Sequence, residues 1–288
     1  MSSKTYTAVG NREDLSDVIT NISPDDTPLM KKFGRSKVTG MVHSWLTDSL
    51  GTPGENAQLE DAAFTNTLAT PRVNLENYIQ IFMRDCTVSD SQEAVLKAGV
   101  KSELAYQLAK TLKLIAQDVE YAIVNNDTAV KGGSTTKGKF GGIPYFNTVN
   151  KITGGATLTE ENVEDAIQAA WKVGGLPDML LCSGNIKKTI DKFAAGSERQ
   201  RDAESTKLKQ IVTVYESSFG LVNVEMHRMY PDTRVDLLQT EYWKLAYLIP
   251  FKTLDKPKDS LMNGKVVTGQ LTLECRSKEA NSTIKVGA

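Results

Sequence analysis

Apolar residues recur every three or four positions at Val100, Leu104, Leu108, Leu112, Ile115, Val119 and Ile123, which is the period of one helix face. This predicts a continuous helix over about 100–124, ~37 Å long at 1.5 Å per residue, closed by Asn125-Asn126-Asp127 and broken or kinked at its start by Gly99. Ser89 with Gln92, or Asp90 with Glu93, reads as a capping box just upstream. Lys97, Lys101, Lys110 and Lys113 mark the opposite face, one that meets solvent or a neighbour.

Before this helix the pattern is different. Leu15, Val18, Ile19 and Ile22 form a short helical stripe stopped by Ser23-Pro24. A second turn follows, capped by Asp26 or Thr27, with Pro28 at its first position, Leu29, Met30 and Phe33 on one side, and Gly34 as terminator. Segments this short cannot bury such stripes themselves, so an arm of this kind needs a partner surface. Lys37–Asp48 alternates as a strand, with Met41, His43 and Trp45 on one face, and Val73–Val88 reads as a second strand. Between them Ser49–Pro71 is rich in Gly, Ala, Thr and Pro and lacks a period, too long for filler inside a compact domain and suited to a functional loop or part of a projecting hairpin.

After the long helix, residues 127–155 are rich in Gly, Thr and Lys and read as a flexible connection between domains. A second domain is expected from Thr157, where Thr157 and Glu160 suggest a capping box and Val163, Ala166, Ile167 and Ala170 an apolar face. Met179–Cys182 reads as a buried strand, Ser183 as the cap of a helix facing inward through Ile186, Ile190 and Phe193, and Ser197–Lys207 as a charged loop. Strands follow at Ile211–Tyr215 and Leu221–Met226, joined by a hairpin, then at Val235–Leu238, Trp243–Ile249, Val266–Cys275 and Thr283–Val286. Strands, one long helix, two helices and then mainly strands make an α+β order.

Composition narrows the class. The 288 residues carry 34 Lys+Arg against 35 Asp+Glu, and 40% are hydrophobic, a globular balance large enough to bury cores without metal or disulfide staples. A net charge of -1 excludes a dedicated sequence-reading DNA binder. No apolar run reaches the ~18 residues of a membrane span, and the first residues show no signal-peptide core, so the expectation is a reducing cytoplasm. Cys86, Cys182 and Cys275 are then expected to be free thiols.

Catalytic chemistry finds little support. His43 and His227 are the only histidines, and neither belongs to a hydrolase or zinc-binding motif. Gly133–Lys139 spells the start of a phosphate-binding loop, but Phe140 stands where the magnesium-binding Ser or Thr belongs, and the loop follows a helix rather than a strand. No enzyme activity, cofactor or metal is expected.

Three stretches carry a resemblance: NREDLSDVITNISPDDTPLMKKFG near the start, WLTDSL at Trp45–Leu50, and Asn77–Ile123. They look like the major capsid proteins of tailed bacteriophages, in the group typified by phage SU ten. That resemblance implies the Hong Kong 97-like capsid fold, with an N-terminal arm at 1–35 and an extended β-hairpin loop at 36–88. It further implies a peripheral domain with a spine helix at 89–156, an axial domain at 157–250 and C-terminal strands at 251–288 returning to the peripheral domain. The implied function is an icosahedral virion shell of hexamers and pentamers around double-stranded DNA, assembled in the host cytoplasm with no membrane. An encapsulin-like nanocompartment is the nearest alternative.

Two departures shape the expected partners. The loop tip Ser49–Pro71 has no lysine, so the lysine–asparagine cross-link of the fold's founding member cannot start there, and reinforcement would be non-covalent or supplied by a decoration protein. The arm stripe begins close to Met1, which suggests a separate scaffolding protein; a portal protein at one vertex and weak, non-specific DNA contact complete the implied partners. The expected subunit interface combines Leu15, Val18, Ile19, Ile22, Leu29, Met30 and Phe33 of the arm with Glu55, Glu60 and Asp61 of the loop tip. The acidic tip is expected to lie over Lys97 and Lys101 of a neighbour, at ~0.2 to 1 kcal/mol per exposed pair.

Overall fold

The computed structural model describes residues 27–50, 54–63, 71–95, 99–196, 213–258 and 260–287. In chain order its elements are α1 (Pro28–Lys32), β1 (Gly34–Lys37), β2 (Val42–Thr47), β3 (Val73–Tyr78), β4 (Gln80–Ser89), α2 (Asp90–Ala94), α3 (Glu103–Asn125), α4 (Ile143–Phe146), β5 (Asn150–Thr153), α5 (Glu160–Lys172), β6 (Met179–Cys182), α6 (Gly184–Gly196), β7 (Val214–Ser217), β8 (Gly220–Met226), β9 (Arg234–Leu238), β10 (Trp243–Asp255), β11 (Met262–Cys275) and β12 (Ser282–Lys285). The strands form a four-stranded sheet ordered β1-β10-β11-β4, a six-stranded sheet ordered β5-β12-β9-β6-β8-β7, and the pair β2-β3. The chain divides into two compact units. One holds Phe82–Gln117 and Phe251–Thr268, the other Thr27–Ile81, Asp118–Pro250 and Gly269–Ala288.

In the first unit, polar contacts fasten the start of α3. Ser89 Oγ accepts from Gln92 N–H as the cap of α2. One oxygen of Glu93 accepts from Glu103 N–H at 3.0 Å and Leu104 N–H at 3.2 Å, satisfying first-turn donors that have no acceptor within α3. The helix therefore begins at Glu103, after Gly99 at φ +80, rather than at Val100 as its apolar stripe suggests. Asp90 accepts from Lys258 at 2.8 Å and Asn263 at 2.6 Å, and Asp85 from Lys256 at 2.8 Å.

The larger unit is built on the six-stranded sheet. β6 lies between parallel β8 and antiparallel β9, and all four of its residues are buried, which is why it reads as an unbroken apolar run. Val163, Ala166 and Ile167 of α5 and Ile186 and Ile190 of α6 pack with Leu180, Cys182, Val222, Val235, Leu237 and Ile284 in one core. The cap of α5 sits two residues beyond expectation. Thr159 and Asn162, not Thr157 and Glu160, exchange the reciprocal hydrogen bonds of a capping box, which leaves Glu160 and Glu161 in the first turn, where the helix dipole favours carboxylates.

Three other expectations change. The strand expected at Val73–Val88 is broken at Ile79, which is buried and donates its N–H to Met41 O at 3.1 Å. Residues 127–155 are not a loose connection: Val130 and Lys139 pair as a β-bridge, Gly133 N–H closes a turn on Thr136 O, and Gly142 N–H bonds Asn126 O at 2.8 Å. The near-motif for phosphate is thus part of a small antiparallel turn. The C-terminal strands also part company, since β12 pairs parallel with β5 and antiparallel with β9, taking Ile284 into the core of the six-stranded sheet. Burial of Ser282, Thr283 and Ile284 explains that destination. The Ser197–Lys207 loop and Ile211 lie outside the described residues.

Candidate assembly surfaces

The second stripe of the arm is built into its own subunit. Leu29 is wholly buried and Phe33 nearly so, with the Phe33 ring stacked on Trp243 at 5.6 Å and 16°. Both were expected to cover a neighbour; they are core residues instead, because α1 is followed at once by β1, which runs parallel to β10 and carries Phe33 against Trp243. Met30 alone of the three keeps partial exposure. Leu15, Val18, Ile19 and Ile22 lie outside the described residues, as does Lys97.

The loop tip is open to solvent. Glu55, Glu60 and Asp61 are all exposed, and Ala62 N–H donates to Leu59 O at 3.1 Å. Below the tip, β2 and β3 form an antiparallel ladder from Val42 opposite Tyr78 to Thr47 opposite Val73. Alternation divides this ladder into two faces. His43, Trp45 and Asn77 face inward, where His43 and Trp45 rings lie 5.2 Å apart and Trp45 Nε1 donates to Cys275 O at 3.0 Å. Val42 and Leu46 face outward and are exposed, Leu46 to 64%. In the other unit, Lys101 stands exposed just before α3, and Lys110 is exposed along it. The stripe of α3 is rotated locally, so that Thr111 is buried and Leu112 is exposed.

Each histidine lies close to a carboxyl group, and His43 is hydrogen-bonded to its own. His43 Nε2 lies 3.0 Å from Glu274 Oε2 and His227 Nε2 lies 3.3 Å from Glu120 Oε1. Hydrogen bonding by His43 holds the Glu274 carboxyl down at about 2, against the opposing effect of burial and with help from Arg276. Cys182 and Cys275 are buried free thiols, and burial pushes Cys182 up to about 12 and Cys275 higher still. Among the described residues there is no cluster of three or more His, Cys, Asp or Glu suited to a metal ion, and no helix long and apolar enough to cross a membrane.

Sequence reasoning missed three buried polar residues that organise this unit: Asn77, Glu120 and Glu274. Only Glu120 left a trace, as a charged residue directly beside Val119 on the apolar stripe of α3. A second polar cluster closes the far end of that helix. Arg234 donates to Val124 O at 2.7 Å and pairs with buried Asp236 at 2.7 Å, while Asp236 also accepts from Asn147 and Tyr230. These arrangements fix elements to one another and leave the outward hairpin face, the acidic tip and the lysines of α3 as surfaces.

Comparison with known proteins agrees with a shell subunit. Residues 2–287 match the family model described as SU10 major capsid protein. The major capsid protein of Escherichia phage Phieco32 is 31% identical over 121 residues, a match covering 42% of this chain and 34% of that protein's length. The capsid protein of the native GTA particle superposes over 100% of both chains at TM-score 0.64 and 14% identity. That of cyanophage A-1(L) covers 96% of this chain and 98% of its own at TM-score 0.69 and 11% identity. With the Hong Kong 97-like fold common to such tailed-phage capsids, the chain belongs to the SU10 major capsid protein family.

Proposed function

We propose that this chain is the major capsid subunit of a tailed bacteriophage and assembles, as hexamers and pentamers, into the icosahedral shell that holds the double-stranded DNA genome. The observation that carries this reading is the family match across residues 2–287. Its role is structural rather than catalytic, in keeping with a His43 hydrogen-bonded to Glu274. The extended hairpin and its tip reach the neighbouring subunit, the acidic Glu55, Glu60 and Asp61 lying over the Lys97–Lys101 segment of that neighbour. Leu15, Val18, Ile19 and Ile22 of the arm clasp an adjacent copy, joined by the partly open Met30. Each contact is weak alone and gains from repetition around a closed shell. A scaffolding protein, a portal and weak contact with DNA belong to the same reading, and near-neutral charge lets an inner wall hold DNA without gripping it.

Negative-stain microscopy of the protein expressed alone tests this. Closed shells, rings or tubes are expected, and a stable dispersed monomer at high concentration would refute the reading. For the tip contact, Lys97→Glu with Lys101→Glu is expected to lower capsomer yield at low salt, and an unchanged yield would remove that contact from the account.

A further inference from the structure

Helix α1 begins without a cap of its own. Thr27 at its N-cap makes no side-chain hydrogen bond to the helix, and first-turn N–H groups have no acceptor within a helix. Both are taken instead by one distant residue: Leu29 N–H donates to Glu120 Oε1 at 2.7 Å and Met30 N–H to Glu120 Oε2 at 3.2 Å. Glu120 is wholly buried and stands on α3.

His227 lies beside this carboxyl. Its Nδ1 accepts from Met229 N–H at 3.2 Å, and its Nε2 lies 3.3 Å from Glu120 Oε1 without making a hydrogen bond to it. The His227 main-chain N–H is bound in turn to Cys182 O at 2.9 Å, at the end of β6. From Leu29 onward the chain is held by burial, by the Phe33–Trp243 stack and by the β1–β10 pairing. Residues 1–26 precede this grip.

We infer that Glu120 is a positioning residue for assembly: by taking the Leu29 and Met30 N–H groups it fixes the root from which the N-terminal arm extends against α3, with the His227 ring packed beside the carboxyl. Capping alone needs no such residue, since Ser, Asp or Asn at the N-cap satisfies the same donors locally. Burying a carboxyl is costly unless it is fully hydrogen-bonded, and what the distant residue adds over a local cap is a tie between the root of the arm and α3. This inference rests on the capsid reading, so its test reads docking of the root directly and assembly separately.

Three variants decide it: Glu120→Gln, Glu120→Ala, and Glu120→Ala with Thr27→Asp, which supplies a local cap. In unassembled subunits, hydrogen exchange at the Leu29 and Met30 amides reports the helix turn, and trypsin cleavage after exposed Lys31 and Lys32 reports undocking of the root. Both rates are expected to rise at least about tenfold in the two single variants while unfolding stays cooperative. The double variant is expected to regain amide protection but to keep fast cleavage and a low shell yield. Wild-type cleavage and normal shells in the double variant would show that Glu120 only caps a helix, and unchanged rates in Glu120→Gln would equally overturn the proposal. Should Glu120→Ala not fold, the near-isosteric Glu120→Gln decides by the same two rates. Wild-type subunits that never form shells would refute the capsid reading, while the docking rates would still stand or fall by these comparisons.

Discussion

His43 Nε2 meets Glu274 Oε2 at 3.0 Å across 231 positions of sequence, and the other oxygen of the same carboxyl accepts from Arg276 Nε at 2.8 Å. Ser36 adds a longer hydrogen bond at 3.3 Å. The site thereby ties the base of the hairpin, β1 and β11 together.

Acid should release it. The Glu274 carboxyl is held near 2 in the folded protein against an ordinary 4.5. A depressed value means that the stabilisation is complete above the ordinary value and is lost as pH falls from about 4.5 toward 2. The full shift would be worth ~3 kcal/mol, and screening by nearby solvent reduces the expected contribution to about 1 to 2 kcal/mol. Urea unfolding of the unassembled subunit should show Glu274→Gln less stable by that amount at pH 7, with the difference shrinking across the acid range. A constant difference from pH 6 down to pH 2 would exclude this linkage.

Asn77 is expected to be the costliest single polar residue of the hairpin. It is wholly buried; its amide nitrogen donates to Gly141 O at 3.0 Å and Leu273 O at 2.7 Å, and its oxygen accepts from Gly141 N–H at 2.8 Å. Asn77→Ala would strand three buried backbone groups and open a void, destabilising by roughly 2 to 4 kcal/mol. Asn77→Asp, which keeps the acceptor but not the donors, should also destabilise. Equal urea midpoints for wild type and Asn77→Ala would contradict the role given to this residue.

These residues show where a sequence can be read and where it cannot. The inward face of α5 was legible because Val163, Ala166, Ile167 and Ala170 repeat at helical spacing and pack against a sheet on that side alone. β6 was legible as a run of four buried residues. By contrast Asn77–Gly141, Glu120–Leu29 and His43–Glu274 join positions 64, 91 and 231 apart, and local patterning carries no signal for such pairings. The same limit explains why Leu29 and Phe33 read as an open stripe: their spacing shows a face needing cover, not that Trp243 of the same chain supplies it. Assembly surfaces were legible through resemblance, since exposed charge at Glu55, Glu60 and Asp61 names no partner by itself.

The three thiols should separate by reactivity. Thiolate is the reactive form, and burial raises Cys182 to about 12 and Cys275 further, whereas Cys86 is only half-buried. In native subunits at pH 8, iodoacetamide should label Cys86 first and leave Cys182 and Cys275 intact over hours, and all three should react in denaturant. Peptide mapping reads the order; labelling of Cys275 ahead of Cys86 would contradict it.

The end of α3 should tolerate no side chain at Gly142. A Cβ there would stand 2.4 Å from Ile123 O and 2.7 Å from Ala122 O, well inside contact distance with backbone that cannot rotate away. Gly142 N–H also donates to Asn126 O at 2.8 Å, and Asn126 Nδ2 donates to Phe140 O at 2.8 Å, so any shift that relieved the clash would break hydrogen bonds at a buried helix end. Gly142→Ala should therefore cost about 2 to 4 kcal/mol, although alanine usually stabilises a chain by restricting its unfolded state. Gly155→Ala is the matched control, because a Cβ there meets nothing within 4 Å, and it should leave stability within about 0.5 kcal/mol of wild type. Urea midpoints of the two variants measure the contrast. If Gly142→Ala unfolds with the control, residues 127–155 are the loose connection their composition suggests and not the packed segment that closes the long helix.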